Sequence, residues 1–452
     1  MRSVRLVLLG LFLLNSTPSF AYNFLYIHPT TGEPIKWDNT QTIKYYLDPG
    51  PWGRLTNDQA HMLVKEATKI WENASTYANP PKFEFAGYLP EDVNGTNYEK
   101  YVSLGQCYTD DLESCSSEAQ KQLQTAIIFD DDNSILDNEL CRITPCSASA
   151  GAKVFSGNRA NPGFIVQGIA VFGPGFIFPI NSNGMSVIVH ELGHLFGLAH
   201  SYLNQQGFGG QYYPTMMTSA IAGQVTITPD DIAGISALYP SDTFDTETAT
   251  IKGQILKSDG SPMMHVNVIA RNTDDPLCEA YSFLSGRICP PLYVGTSTNC
   301  FDSDFNNVEI SDFAIAGLPP GSYTLEVEEV ANDSLGQTLA PGLLPDEDIF
   351  GDAEFWNEGD AVSESNTTSS IITLAVGETR ENIDIILNRS EVTEDRIKFI
   401  PLDTFTPGPG TRCPSEPPVD YAAMIGIEES DPDDTSDTSD PSPSVGGCSL
   451  MK

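Results

Sequence analysis

Three of the chain's six histidines fall in the stretch SVIVHELGHLFGLAHS, residues 186 to 201. His190 and His194 are four apart, so on a helix they project from one face about one turn apart, as two imidazoles sharing a cation require. Glu191 lies beside them, where a carboxylate can hold a metal-bound water without ligating the metal. Gly197 lets the backbone leave the helix, and the next turn can return His200 to the same cation as a third ligand. Three neutral nitrogens and one water make an open tetrahedral site, the catalytic form of zinc. The competing explanation is a buried helix with incidental histidines, since Val187, Ile188, Leu192, Leu195, Phe196 and Leu198 would suit a core. A bare HExxH leaves that explanation open. The extended HExxHxxGxxH also specifies a glycine and a third histidine, which chance rarely supplies.

Such a site needs a frame, and residues 22–242 read as a mixed α/β domain. TIKYYL (42 to 47) places Ile43, Tyr45 and Leu47 on one face of a strand. TNDQAHMLVKEATKIWENAS then sets Ala60, Leu63, Val64, Ala67, Ile70 and Trp71 at helical spacing, with Thr56 and Gln59 forming a capping box. KFEF (82 to 85) and TAIIFD (125 to 130) read as further strands, and the second long helix carries the histidines. In TITPDDIAGISALYP (226 to 240), Thr228 can cap a last helix, Pro229 suits its first position, and Asp230 and Asp231 face the positive end of its dipole.

HELGHLFGLAHS resembles the zinc-binding consensus of the metzincin metallopeptidases, and its ending in His-Ser is similar to the matrixin branch. YYPTMMTSA resembles the methionine turn of that family, with Met217 as the match and Met216 as the alternative, and TITPDDIAGISALYP resembles the matrixin C-terminal helix. The resemblance covers residues 37 to 240. It implies a metzincin-like α/β (α+β) fold with a twisted mixed sheet, one catalytic zinc on His190, His194 and His200, and Glu191 as the general base that activates the zinc-bound water against a peptide carbonyl. Met217 would shape the floor of the site. Two departures stand out. No histidine lies between His61 and His190 to hold the second, structural zinc of animal matrixins, and no PRCGxPD motif precedes the domain. TRCPSEP around Cys413 is only distantly similar to that motif, and a disulfide or a free tail thiol is the simpler reading of it.

Residues 247–390 change to an all-β signal. TATIKGQILKSDGSPMMHVNVIARN has two short strands around an Asp-Gly turn, and FAIAGLPPGSYTLEVEEV repeats the form around Pro-Pro-Gly. These stretches, with ITLAVGETRENIDIIL, resemble the carboxypeptidase regulatory-like, or transthyretin-like, β-sandwich modules. Such modules space or anchor a catalytic domain, and a sugar- or protein-binding use is the alternative. Residues 391–452 lose periodicity, and EESDPDDTSDTSDPSPSVGG is an acidic tract that cannot bury enough surface to fold.

The first 21 residues, with Arg2 and Arg5, an apolar run from Leu6 to Leu14 and small residues up to Ala21, read as a secretory signal peptide. Nine cysteines agree with an oxidising compartment. Close spacing suggests Cys107 with Cys115 and Cys141 with Cys146, and the odd total leaves at least one thiol free, modified or intermolecular. A formal net charge of -38 repels nucleic acid and anionic membranes and can attract divalent cations. FDDDNSILDN clusters carboxylates that could bind calcium through Asp130, Asp132 and Asp137, against the alternative of a solvated acidic loop. GIAVFGPG (168 to 175) is a candidate for the strand bordering the cleft, where a substrate could add as an extra strand. No stretch of the mature chain is long and apolar enough to span a membrane, and GGCSLMK offers a route to cell-surface attachment through Cys448. The expectation is a secreted zinc endopeptidase acting on extracellular proteins or peptides. Its rivals are a surface adhesin with an inactive protease-like domain, and a zinc hydrolase acting on a non-peptide bond.

Overall fold

The period-two run at 42–47 forms strand β1 (Ile43–Leu47), with Ile43, Tyr45 and Leu47 buried and Lys44 exposed. These positions come from a computed structural model of the chain, which describes residues 24–25, 33–101, 125–139, 150–156, 163–174, 182–204, 213–216, 225–263, 266–285, 312–330, 352–359, 369–387, 397, 399–406, 419–426 and 449–450. The leader, the two cysteine pairs, Cys413, Met217, Cys448 and the acidic tract at 428–447 lie outside the described residues.

Helix α1 (Asn57–Glu72) begins at the capping box, where the Gln59 N–H donates to Thr56 Oγ1 and the Thr56 N–H to Gln59 Oε1. β1 is flanked in parallel by β2 (Phe83–Tyr88) and β3 (Thr125–Phe129). β3 in turn pairs in parallel with β5 (Ile165–Phe172), and β4 (Ala150–Ser156) runs antiparallel on the far side of β5. A two-residue strand, β15 (Ser449–Leu450), adds in parallel to β4, so the sheet order is β15-β4-β5-β3-β1-β2. β3 is buried on both faces. Ile127 and Phe129 point into the main core, while Ala126 and Ile128 pack with Leu89, Val93, Ile135 and Leu136. That explains why TAIIF is an unbroken apolar run rather than an alternating one.

GIAVFGPG holds most of β5, and the structure corrects its reading as a border strand: β5 is hydrogen-bonded on both sides and cannot accept another strand. The edge on that side belongs to β4, and β15 pairs with part of it, at Gly151 and Ala152.

The main core is shared by α1, by helix α3 (Ser182–Phe196) and by helix α4 (Pro229–Leu238). A shorter helix α2 (Ser134–Glu139) comes after β3, and one turn, α5 (Phe244–Glu247), leads into the β region.

There, β6 (Ala249–Lys257) pairs with β9 (Asp312–Leu318), β13 (Thr379–Arg380) and β14 (Ile385–Leu387). A second sheet joins β7 (Val266–Asn272), β8 (Ala280–Leu284), β10 (Gly321–Glu329), β11 (Glu354–Phe355) and β12 (Ile372–Leu374). The Asp-Gly turn exists, with Gly260 at φ 81°. However, β6 and β7 on either side of it sit in different sheets, as do β9 and β10 around Pro-Pro-Gly. The Asp-Gly turn folds residues 261–263 back on the end of β6, with the Lys257 N–H on the Ser261 carbonyl and the Met263 N–H on the Ile255 carbonyl, but β7 itself joins the other sheet. Ile251, Ile255 and Ile315 of the first sheet share one hydrophobic cluster with Val268, Leu325 and Val327 of the second.

Candidate metal centre

Helix α3 is buried from Gly184 through Phe196, as expected of a helix apolar on most of its circumference. Its backbone is held by aromatic donors. Trp71 Nε1 donates to the Val189 carbonyl at 2.7 Å, Trp37 Nε1 to the Leu195 carbonyl at 2.6 Å, and the Tyr239 hydroxyl to the Phe196 carbonyl at 2.7 Å. The last two satisfy carbonyls that a helix end leaves without partners. The helix stops at Gly197, whose φ of 105° a side chain would resist, and the Leu198 N–H returns to the Gly193 carbonyl.

That turn brings His200 back to His190 and His194. The Nε2 of His200 lies 3.2 Å from His190 Nε2 and 3.1 Å from His194 Nε2. The other ring nitrogens of these two are committed: His190 Nδ1 meets the Thr215 carbonyl at 2.6 Å and His194 Nδ1 the Leu198 carbonyl at 2.7 Å. A carbonyl can only accept, so both Nδ1 atoms carry the proton and each neutral ring aims its Nε2 lone pair at the centre. Burial holds all three rings in that neutral form, pushing His190 down to about 4 and His194 and His200 well below the ordinary histidine range. A single proton between them could satisfy one contact, whereas a divalent cation satisfies all three. The donor set therefore fits zinc, which takes imidazole nitrogen in open three-ligand sites with just this backing of the distal ring nitrogen. Among the described residues this is the one group of three or more histidine, cysteine or acidic side chains able to hold a metal. Glu191, fully buried, comes directly after His190 on the same helix.

Beneath the helix lies Met216. A Cβ built on Gly193 would run into Met216 Sδ and come within 2.7 Å of Trp71 Cζ2, so only a glycine leaves room for both side chains. Met217, the preferred match from the sequence, is outside the described residues; the alternative Met216 is the one seen against the helix, and its carbonyl accepts the Ser201 N–H at 2.6 Å.

Asp231 ties these pieces together. Besides capping α4 with Thr228, its carboxylate accepts the N–H groups of Thr215 at 2.8 Å and Met216 at 3.0 Å. Thr215 is thus held by its N–H while its carbonyl orients His190. Sequence alone marks Asp231 only as a partner of the helix dipole. The Thr-x-x-Asp spacing is the available signal for the cap, and nothing in it reveals the second contact.

The acidic loop behaves differently. Asp130 is buried, and its carboxylate accepts the Ile135 and Leu136 N–H groups at the start of α2, while Asp132 accepts the Ser134 N–H. Asp137 is exposed on α2, and the three do not gather into a ligand group among the described residues.

Three neutral imidazoles converge from a helix and the turn after it, beside a buried glutamate, in a group that could hold a metal ion. Residues 36–240 match the family model of the matrixins, peptidase M10, and that match points to a zinc metallopeptidase. The match ends at Pro240, before the β region. No curated protein matches the chain. Among the described residues no helix is long and apolar enough to cross a membrane.

Proposed function

We propose that the chain is a secreted zinc endopeptidase that cuts peptide bonds of extracellular proteins. The observation that carries the proposal is the convergence of three Nε2 atoms, two of them on rings whose distal nitrogens are locked by carbonyls, in the stretch that matches the matrixins. His190, His194 and His200 would hold zinc, which when bound supplies a Lewis acid for the peptide carbonyl. Glu191 takes a proton on its carboxylate from the attacking water as the water oxygen bonds to the carbonyl carbon. It then gives that proton to the leaving amine as the C–N bond breaks, so the residue ends as it began. Met216 and Met217 take no part in the proton transfers. Export rests on the character of the first 21 residues, and the β region at 247–390 is read as a carboxypeptidase regulatory-like sandwich accompanying the catalytic domain.

The test is digestion of an unfolded protein such as casein by the mature chain, beside a Glu191→Ala variant shown to retain zinc. Cleavage by the native chain and its loss in the variant is the expected result. A native chain that binds one zinc yet cuts nothing overturns the peptidase reading in favour of a binding protein.

A further inference from the structure

The first two ligands ride on one helix, but His200 sits on a turn, and the residues immediately after it are buried by a distant part of the chain. Every residue from Ser201 to Asn204 is at most 8% exposed. The covering atoms come from β7, β8 and β10. Asn267 Nδ2 on β7 donates to the Tyr202 carbonyl at 3.0 Å, and the Ser282 hydroxyl on β8 donates to Asn267 Oδ1 at 2.7 Å. Arg271 Nη2, also on β7, donates to Asn204 Oδ1 at 2.9 Å, with its Nε on Glu326 of β10 at 2.7 Å. Asp230 bridges the two regions, accepting the Ser201 hydroxyl on one oxygen and the Ser282 N–H on the other, each at 2.6 Å. Apolar contacts run alongside: Tyr202 packs with Leu284 and Val330, and Leu203 with Ile269 and Ala280.

On the proposed zinc reading, we infer that β7 and β8 form part of the frame of the metal centre: they clamp Ser201–Asn204 and thereby set the position of His200, with Asn267 and Arg271 as positioning residues. His190 and His194 ride on the helix, and the carbonyls that back their Nδ1 atoms, Thr215 and Leu198, belong to none of these strands. A small cavity lined by His200, Ser201, Met216, Asp230 and Ser282 lies beside the third imidazole. Without the clamp, the turn has both the slack and the space to carry the ring off the cation. Orienting partners of this kind change metal affinity by about 10–100-fold when removed.

The experiment measures zinc affinity of the full chain by competition with a chromophoric chelator, and the absorption spectrum of its cobalt-substituted form. Asn267→Ala removes the tie to the Tyr202 carbonyl. Asn204→Gly removes the acceptor of Arg271 at a backbone already at φ 60°, so it keeps the chain path and carries the test should Asn267→Ala fail to fold. Arg271→Ala is avoided because it would strand Glu326 as a buried charge. His200→Ala marks the two-ligand limit. Tyr323→Phe, which deletes a 2.6 Å bond to the Pro319 carbonyl in the same sheet, reports general loosening of the β region.

The expected result is zinc affinity about 10–100-fold weaker in Asn267→Ala and Asn204→Gly, cobalt spectra displaced toward that of His200→Ala, and Tyr323→Phe unchanged. Native zinc affinity in both asparagine variants overturns the inference alone, as does equal weakening in Tyr323→Phe. A native chain without one tight zinc overturns the zinc reading and this inference with it.

Discussion

The indole of Trp71 donates its proton to the carbonyl of Val189, the residue immediately before the first candidate ligand. Helix α1 is thus tied to α3 at the turn that presents His190. Trp71→Phe keeps most of the packing and leaves that buried carbonyl without the indole donor, for an expected loss of about 1–3 kcal/mol. Urea denaturation of the two proteins gives the difference directly, and an unchanged midpoint would count against the tie.

Gly193→Ala should destabilise the fold by about 1–3 kcal/mol, because the new methyl must displace Met216 or Trp71. Shortening the obstacle ought to undo part of the damage. The double variant Gly193→Ala/Met216→Ala is therefore expected to be less destabilised than the sum of the single changes, and a double-mutant cycle measures the coupling. Simple additivity would show that the two positions do not compete for space.

Asp231→Ala removes one carboxylate from the N–H groups of Thr215, Met216 and Thr228. Each buried donor left without an acceptor costs roughly 1–3 kcal/mol, so the melting temperature should fall more than for Trp71→Phe or Gly193→Ala. Asp231→Asn retains one accepting oxygen and should melt between Asp231→Ala and the native chain. Zinc affinity should decline as well, since Thr215 also orients His190.

Asp48 is buried, and desolvation pushes its carboxyl up to about 6 in spite of N–H donors from Gly50, Val93 and Phe129. The folded state therefore holds a proton that the unfolded chain, near 3.8, has given up. Stability from this group is greatest below the unfolded value and is lost as pH rises through about 6. Asp48→Asn abolishes that trend. Thermal melts of the native chain and the variant should give a stability difference that changes between pH 4 and 6 and is flat above it, whereas a constant difference refutes the assignment.

Metal removal should act in the opposite pH sense. In the zinc-free chain His190 is held down at about 4 against an ordinary 6.5, so its contribution is complete above 6.5 and fades as pH falls toward 4. At neutral pH a chelator should lower the melting temperature, and zinc at 100 times its dissociation constant should restore about 2.7 kcal/mol. Calorimetry with and without chelator at several pH values checks both statements.

The histidine triad was legible because its geometry is local: positions 190 and 194 share a helix face by periodicity alone, and Gly197 announces where the helix must end. The capping box at Thr56 and the helix cap at Thr228 were legible for the same reason, although the share of Asp231 in the second was not. The features that could not be read depend on partners far away in sequence. Arg271 and Asn204 are separated by 67 positions and Asp230 and Ser282 by 52, and no spacing rule joins them. The aspartates at 130 and 132 show another limit of composition. A dense acidic run invites a cation, yet these side chains turn back to backbone N–H groups at the start of a short helix, which composition cannot reveal. Strand pairing in the β region was not legible either, since a tight turn fixes where the chain reverses and not which sheet receives the next strand.

The two-residue strand Ser449–Leu450 lies in register with Gly151 and Ala152 along the outer side of β4. An outer strand ordinarily displays a row of unmatched amide and carbonyl groups that recruits any extended chain nearby. On β4, part of that row is already taken by a segment of the same molecule, whose pairing is intramolecular and does not weaken on dilution. A stranger seeking those two positions must win them in a contest of occupancy, so the tightness of its pairing there is set as much by the eviction of residues 449 and 450 as by its own fit.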